Sequence, residues 1–321
     1  MIFTRKRNKD QHEKRCNQEK TVKTRQKALG DNENELVKLV KSGYLPECFL
    51  NYRQKYLITF DIETLETPTD EAVSDFTVKE ATHKLASLAV ASNIPGAGTK
   101  FMQRESSAPI AEQMLIDAFV EELYRLYDLF MDALPKEIKE SITRLESEIA
   151  ELHFGHKKTK LQSMLKFLRQ YTKLNIYAFN GGKFDYGVIF PALVRSLNTY
   201  SGEMPDVLKR GAKYFVISTP ELRFNDTLNF SSPCSLSKYL YQWKVTETKS
   251  IWPYQHFKTV EEVRECTEFP GALAFYNTLK QKSVDADIYE KTRRFFNDCK
   301  ALPPSDPLHM KTMADFLLQY L

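Results

Sequence analysis

Asp61 and Glu63 stand one residue apart, directly after Tyr56-Leu57-Ile58-Thr59-Phe60, a run dense in β-branched and aromatic residues that reads as a strand ending on the acids. Side chains alternate faces along a strand with a period of two, so both carboxylates project to one side. Like charges brought that close repel unless a cation lies between them, and hard oxygen donors favour Mg²⁺ or Mn²⁺. A D-x-E pair alone is also an ordinary feature of surface strand ends. A second constellation narrows the reading. Leu174-Asn175-Ile176-Tyr177-Ala178-Phe179 is another strand-like run, and it leads into Asn180-Gly181-Gly182-Lys183-Phe184-Asp185. An amide, a cation, a ring and a third carboxylate thus surround a glycine turn. An amide can bond sugar or phosphate and a ring can stack on a base, which is what a single-stranded nucleic acid end requires.

The elements that must position these groups follow from periodicity and breakers. Asn34 to Ser42 has helical spacing in Leu36, Leu39 and Val40, stopped by Gly43 and Pro46. After the Tyr56–Phe60 strand, apolar runs at Leu85–Val90 and Lys100–Gln103 flank Asn93-Ile94-Pro95-Gly96 and predict an antiparallel meander. From 110 to about 170 the spacing turns helical, with Ile116, Phe119, Val120, Leu123 and Leu126 first and Ile138, Ile142, Leu145 and Ile149 after Pro135. A helix is expected over Val188–Leu197, a strand pair near Phe215–Ser218 and Leu222–Asp226, and mainly helices and loops from 255 onward.

Bulk properties bound the classes. The 321 residues, 42% of them hydrophobic, suffice for one large core or two modest ones. No run approaches the roughly 18 apolar residues of a membrane span, and the basic first thirty residues hold no secretory signal. The expectation is a soluble intracellular protein without a membrane partner. Cys16, Cys48, Cys234, Cys266 and Cys299 contain no C-x-x-C pair and predict neither a disulfide framework nor a four-ligand zinc site. Residues 1–30 carry ten Lys and Arg against three Asp and Glu, leaving 36 against 39 in the rest, so the basic charge is concentrated in the head. A head of that kind suits phosphate contact or nuclear import, and equally a solvated terminus.

Phe60-Asp61-Ile62-Glu63-Thr64 resembles the first exonuclease motif of family B DNA polymerases. Phe179-Asn180-Gly181-Gly182-Lys183-Phe184-Asp185 resembles the second, in the glycine-containing form of the protein-primed branch found in viruses, mitochondrial plasmids and self-synthesising transposons. Phe224-Asn225-Asp226-Thr227-Leu228, Ser235-Leu236-Ser237-Lys238, Lys249 and Trp252-Pro253-Tyr254 are similar to the segment that follows it in that branch. The resemblance covers roughly residues 44–321 and implies an α/β, RNase H-like exonuclease domain: a mixed sheet flanked by helices, with a helical insertion at about 110–170, behind a basic head at 1–43.

It further implies proofreading chemistry, the two-metal hydrolysis of 3′-terminal nucleotides with two Mg²⁺ or Mn²⁺ ions. Asp61, Glu63 and Asp185 would be the metal ligands, Tyr320 would orient water and Lys249 would contact the scissile phosphate. Thr64, Asn180, Lys183, Phe184, Thr227 and Leu228 would hold the DNA. The implied partners are the single-stranded 3′ end of primer-template DNA and a terminal priming protein, with the chain a monomer and the nucleus favoured over the mitochondrion. The family's fourth carboxylate lies in a Tyr-x-x-x-Asp motif. The sequence given stops one residue after Tyr320, so impaired cleavage and an absent polymerase domain are expected from it. Two alternatives stay open, a free-standing DNA or RNA exonuclease of this fold and a non-catalytic nucleic-acid-binding relic. Near the start, Phe3, Lys9, His12 and Cys16 follow the spacing of the second half of a zinc finger, with Lys9 where Leu is usual. A closed structural zinc site needs four ligands, so this half is not expected to hold zinc tightly.

Overall fold

The computed structural model describes residues 35–74, 77–245, 251–278 and 281–320. The half-finger residues Phe3, Lys9, His12 and Cys16, the head up to residue 34, and Lys249 lie outside the described residues. The chain divides into two compact units, one of residues up to Tyr52 with Leu145–Phe167, the other of Arg53–Arg144 with Leu168–Leu321.

The first unit is helical. It holds α1 (Glu35–Lys41), a 3₁₀ turn at Glu47–Asn51, and the later helical stretch that reaches it, with Leu36, Leu39, Phe49, Leu161 and Met164 buried. The Tyr44 hydroxyl donates to Glu148 at 2.6 Å within this unit.

The second unit is built on one sheet of seven strands: β1 (Leu57–Ser74), β2 (Thr77–Ser92), β3 (Thr99–Gln103), β4 (Leu174–Ala178), β5 (Asp206–Arg210), β6 (Lys213–Ser218) and β7 (Leu222–Asp226), in the order β3-β2-β1-β4-β7-β6-β5. β1, β4 and β7 run parallel, and the outer pairs are antiparallel. Parallel neighbours need long crossovers. The first is supplied by α2 (Pro109–Ala133), α3 (Lys136–Glu151) and α4 (His156–Leu168), the second by α5 (Asp185–Ser201) with the β5–β6 hairpin. Four further helices follow the sheet: α6 (Leu236–Gln242), α7 (Val260–Glu265), α8 (Ala286–Lys300) and α9 (Met313–Tyr320). A seven-stranded mixed sheet flanked by helices is compatible with an RNase H-like fold.

Alternation along β1 sets its two faces. Ile58, Phe60 and Ile62 are buried, and the Phe60 ring meets Phe119 of α2 at 5.3 Å and Tyr186 of α5 at 5.9 Å. Truncating such a ring to Ala costs about 3–5 kcal/mol, so this cluster is a large share of what fixes α2 and α5 on the sheet. The odd-numbered positions Leu57, Thr59, Asp61 and Glu63 line a cavity, which Phe60 and Ile62 also border. A second core joins the last segments to β1 and β2: Trp252, Phe257, Phe296 and Phe316 pack with Leu65 and Ala86.

Two elements differ from the sequence expectation. The acid pair lies inside β1 rather than at its end, because β1 continues to Ser74 in a long ribbon with β2. What does end just before Asp61 is the pairing with β4, which covers only Leu57, Ile58 and Thr59. β5 was not expected, since all five of its residues are exposed and carry no alternating pattern.

Candidate active site

The site is a cavity of about 1110 Å³ on the open side of β1, bounded by β2 and β3 and by the residues around α6. Sheet register explains the space. Asp61 is paired across to Ala89, which is paired to Phe101, and Thr59 to Ala91, which is paired to Thr99. Two alanines beside two short polar residues leave a trough in which an Asp can stand without a large neighbour. Glu63 is paired with Ser87, and the register shifts immediately afterwards, Thr64 being paired with Leu85. A bulge of this kind turns the strand locally and re-aims its side chains. Glu63 and Thr64 are both buried there, at 3% and 2% exposure.

The third acid arrives from β4. Asn180 adopts a left-handed φ of 60°, and Asp185 begins α5 and is buried. The first turn of a helix favours a negative group. Packing explains why the turn needs glycine at both positions. A Cβ on Gly181 would stand 2.6 Å from the Ala178 Cβ, and one on Gly182 would stand 2.2 Å from the Tyr214 carbonyl oxygen. The turn is also tied down from below. The Tyr214 amide donates to the Gly182 carbonyl at 2.8 Å, and the Gly182 amide donates to the Asp226 carboxylate at 3.3 Å.

Asp226 is fully buried at the end of β7 and accepts a second bond from the Leu228 amide at 2.9 Å, with Lys213 Nζ at 3.4 Å. Below the turn the Tyr186 hydroxyl donates to the Asn225 carbonyl at 2.7 Å, and burial pushes that phenol far above its ordinary range.

The structure brings Asp61, Glu63, Thr64, Asn180, Phe184, Asp185 and Thr227 onto the wall of this one cavity. Thr227 spends its hydroxyl on the Ala178 carbonyl at 3.1 Å. Lys183 is exposed and Leu228 half-buried, and neither is on the cavity wall. Tyr320 is the last residue of α9, and its side chain lies outside what is described. Lys249 is not among the described residues.

Several wall residues were not singled out by sequence. Tyr177, Phe179, Phe230, Tyr239 and Tyr254 give the cavity an aromatic lining. His83, on β2, bonds the Thr64 hydroxyl through Nδ1 at 3.3 Å and sets its ring edge-on to Phe184 at 5.2 Å. It thereby couples Thr64 and Phe184, two of the six expected nucleic-acid contacts. Strand alternation places Tyr177 opposite to buried Ile176, but nothing in the sequence joins His83 to Phe184, because the link depends on the β1–β2 register.

The fit of a metal ion can be tested on the donor set. Among the described residues no three His, Cys, Asp or Glu side chains already form a group able to hold one. The carboxylates on the wall are hard oxygen donors, and the buried Ser87 hydroxyl across from Glu63 has no hydrogen-bond partner among the described residues. A buried polar atom without a partner calls for a water or ligand near it. Magnesium is characteristically held by one or two carboxylates while it keeps several of its waters, and these donors fit that mode without a closed cage. No protein-family model matches this chain, and no curated protein matches it.

Proposed function

We propose that this chain is the 3′–5′ exonuclease region of a DNA polymerase of the protein-primed family B type, removing nucleotides from the 3′ end of single-stranded DNA. The observation that carries the reading is that the D-x-E pair of β1 and the acid closing the glycine turn line one cavity together with Asn180 and Phe184. Those are the residues of the two resembling motifs, and they reach the cavity from different strands.

The chain's own groups divide the work. Asp61, Glu63 and Asp185 are the oxygen donors that would hold magnesium or manganese. Bound ions of this kind neutralise charge on the attacking and leaving oxygens of an in-line displacement. Phe184, exposed at 37% with its ring backed by His83, offers a stacking face for the terminal base. Asn180 offers an amide for sugar or phosphate, at a backbone conformation that non-glycine residues adopt at a cost of about 1–3 kcal/mol where the surroundings enforce it. Asp226 anchors the turn that carries Asn180, Phe184 and Asp185 by accepting from the Gly182 amide. Placement of reacting groups within a fraction of an ångström is worth orders of magnitude in rate.

The test is product analysis. A single-stranded DNA oligonucleotide incubated with the chain and Mg²⁺ or Mn²⁺ should yield nucleoside 5′-monophosphates, and chelation should stop their release. Binding without any monophosphate would leave a non-catalytic nucleic-acid-binding protein in place of this reading. Faster release from RNA than from DNA would favour a free-standing exonuclease.

A further inference from the structure

We infer that α6 and the residue that precedes its loop form a nucleobase-stacking wall, which carries the bases upstream of the 3′ end away from the carboxylates. The inference rests on the reading of the cavity as a single-stranded nucleic acid site and extends it from Phe179 of the second motif to rings outside both motifs. Phe179, on the cavity wall, has its ring 5.4 Å from that of Tyr239, and Tyr239 in turn lies 6.2 Å from Trp243. On the other side Tyr177 meets Phe230 edge-on at 6.1 Å. Tyr239 is half-buried, while Trp243 is 68% exposed and Phe230 71%.

Three observations favour bases as the occupant over an aliphatic or protein surface. The row is continuous with the carboxylate cavity through Phe179 and Tyr239. Its members are planar rings, each able to stack on any base. Its flanks carry cations, since Lys238 and Lys244 are exposed beside Tyr239 and Trp243, which suits a phosphate backbone.

The helix is built to hold these rings still. Tyr239 and Trp243 are four residues apart on one face. Ser235 caps the start by accepting from the Lys238 amide at 3.3 Å. At the other end the Val245 amide donates to the Leu240 carbonyl and the Lys244 amide to the Tyr241 carbonyl, both at 3.0 Å, with Lys244 in the left-handed region at φ 57°. This is a Schellman stop, a role usually given to Gly. Lys there takes a conformation that L side chains disfavour.

The chain has two tryptophans, and Trp252 is buried at 8% exposure, so quenching by an added base reports Trp243. The experiment titrates the protein, in chelator to prevent digestion, with an oligothymidylate and with an abasic oligonucleotide of equal length, following tryptophan emission and anisotropy. The oligothymidylate should quench emission and bind roughly tenfold tighter than the abasic chain. Trp243→Ala and Tyr239→Ala should each weaken oligothymidylate binding by about tenfold while leaving abasic binding unchanged. Far-UV circular dichroism checks that both variants fold, and Trp243→Phe, which keeps a ring, should retain most of the affinity. Equal affinity for the two oligonucleotides, or binding that leaves emission unmoved, would overturn the stacking wall while leaving the exonuclease reading intact. Failure to bind any oligonucleotide would sink both. Binding and quenching by an Asp61→Ala/Glu63→Ala variant without hydrolysis would uphold the wall alone.

Discussion

At the scale of single residues, the glycine turn shows how local crowding decides what sequence is allowed. Gly182 faces a backbone carbonyl 2.2 Å from where its Cβ would stand, and the Asp226 Oδ2 lies 2.9 Å from the same point. The first is backbone, and the second is the end of a buried side chain held by the Gly182 amide and Lys213. Gly182→Ala should therefore lower stability by about 1–3 kcal/mol, as overpacking does, and abolish any activity of the cavity by displacing Asp185. Gly98→Ala, with nothing within 4 Å of its Cβ, should be neutral or stabilise by about 0.4–1 kcal/mol. Urea midpoints of the two variants make the comparison, and similar midpoints would mean that the turn tolerates a shift and that the Asp226 anchor is not rigid.

The motif acids were legible at this scale because strand composition and the spacing of Asp61, Glu63 and Asp185 carry their own signal. Asp226 was legible only as part of a resembling segment. Its anchoring role depends on β4 and β7 being parallel neighbours in a register that sets Ala178 beside Asp226, a pairing between residues 48 positions apart.

At the scale of elements, the loop between β3 and α2 is latched to α7. Ser107 donates to the Glu261 carboxylate from its amide at 2.7 Å and from its hydroxyl at 2.5 Å, and the Val260 amide donates to the Ser107 hydroxyl at 3.0 Å. These bonds hold the Glu261 carboxyl down at about 2, against an ordinary 4.5. A folded-state value below the unfolded one means that the latch contributes stability above pH 4.5 and loses it as the pH falls toward 2. Guanidinium unfolding of wild type and Ser107→Ala should accordingly show a gap at pH 6 that narrows below pH 4.5 and closes near pH 2. A gap independent of pH would mean that Ser107 acts through packing and not through Glu261.

The same scale shows where periodicity fails. The expected helical stretch from 110 to about 170 is occupied by α2, α3 and α4, whose apolar spacing is strong. β1 extends well past its recognisable core into a ribbon with β2, along a stretch, Glu66-Thr67-Pro68-Thr69-Asp70-Glu71, whose sequence has no apolar alternation. β5 is hidden for the same reason, being an exposed edge strand.

At the scale of the whole molecule, the sheet order puts β1 and β4 side by side, with the parallel pairing ending just before Asp61. Chain segments more than a hundred residues apart thus deliver their acids to one cavity. The composition predicts a core, and the parallel β1, β4 and β7 with helical crossovers predict the layers. No property of the sequence alone fixes the trough formed by Ala89 and Ala91 or the aromatic path toward α6, since both arise only when register is set.

The hydrolytic site proposed for Asp61, Glu63 and Asp185 would act from the 3′ end. The most direct measurement uses a single-stranded oligonucleotide labelled at its 5′ end, with either a free or a blocked 3′ terminus, incubated in Mg²⁺ or Mn²⁺ with the wild-type chain, with Asp61→Ala/Glu63→Ala and with Asp185→Ala. A ladder of shortening products should appear from the free 3′ end only and be lost by at least about a hundredfold in both variants, as expected when a group that positions the reacting atoms is removed. Cleavage that begins at the 5′ end or internally, or a 3′ ladder that survives in both variants, would contradict the proposal.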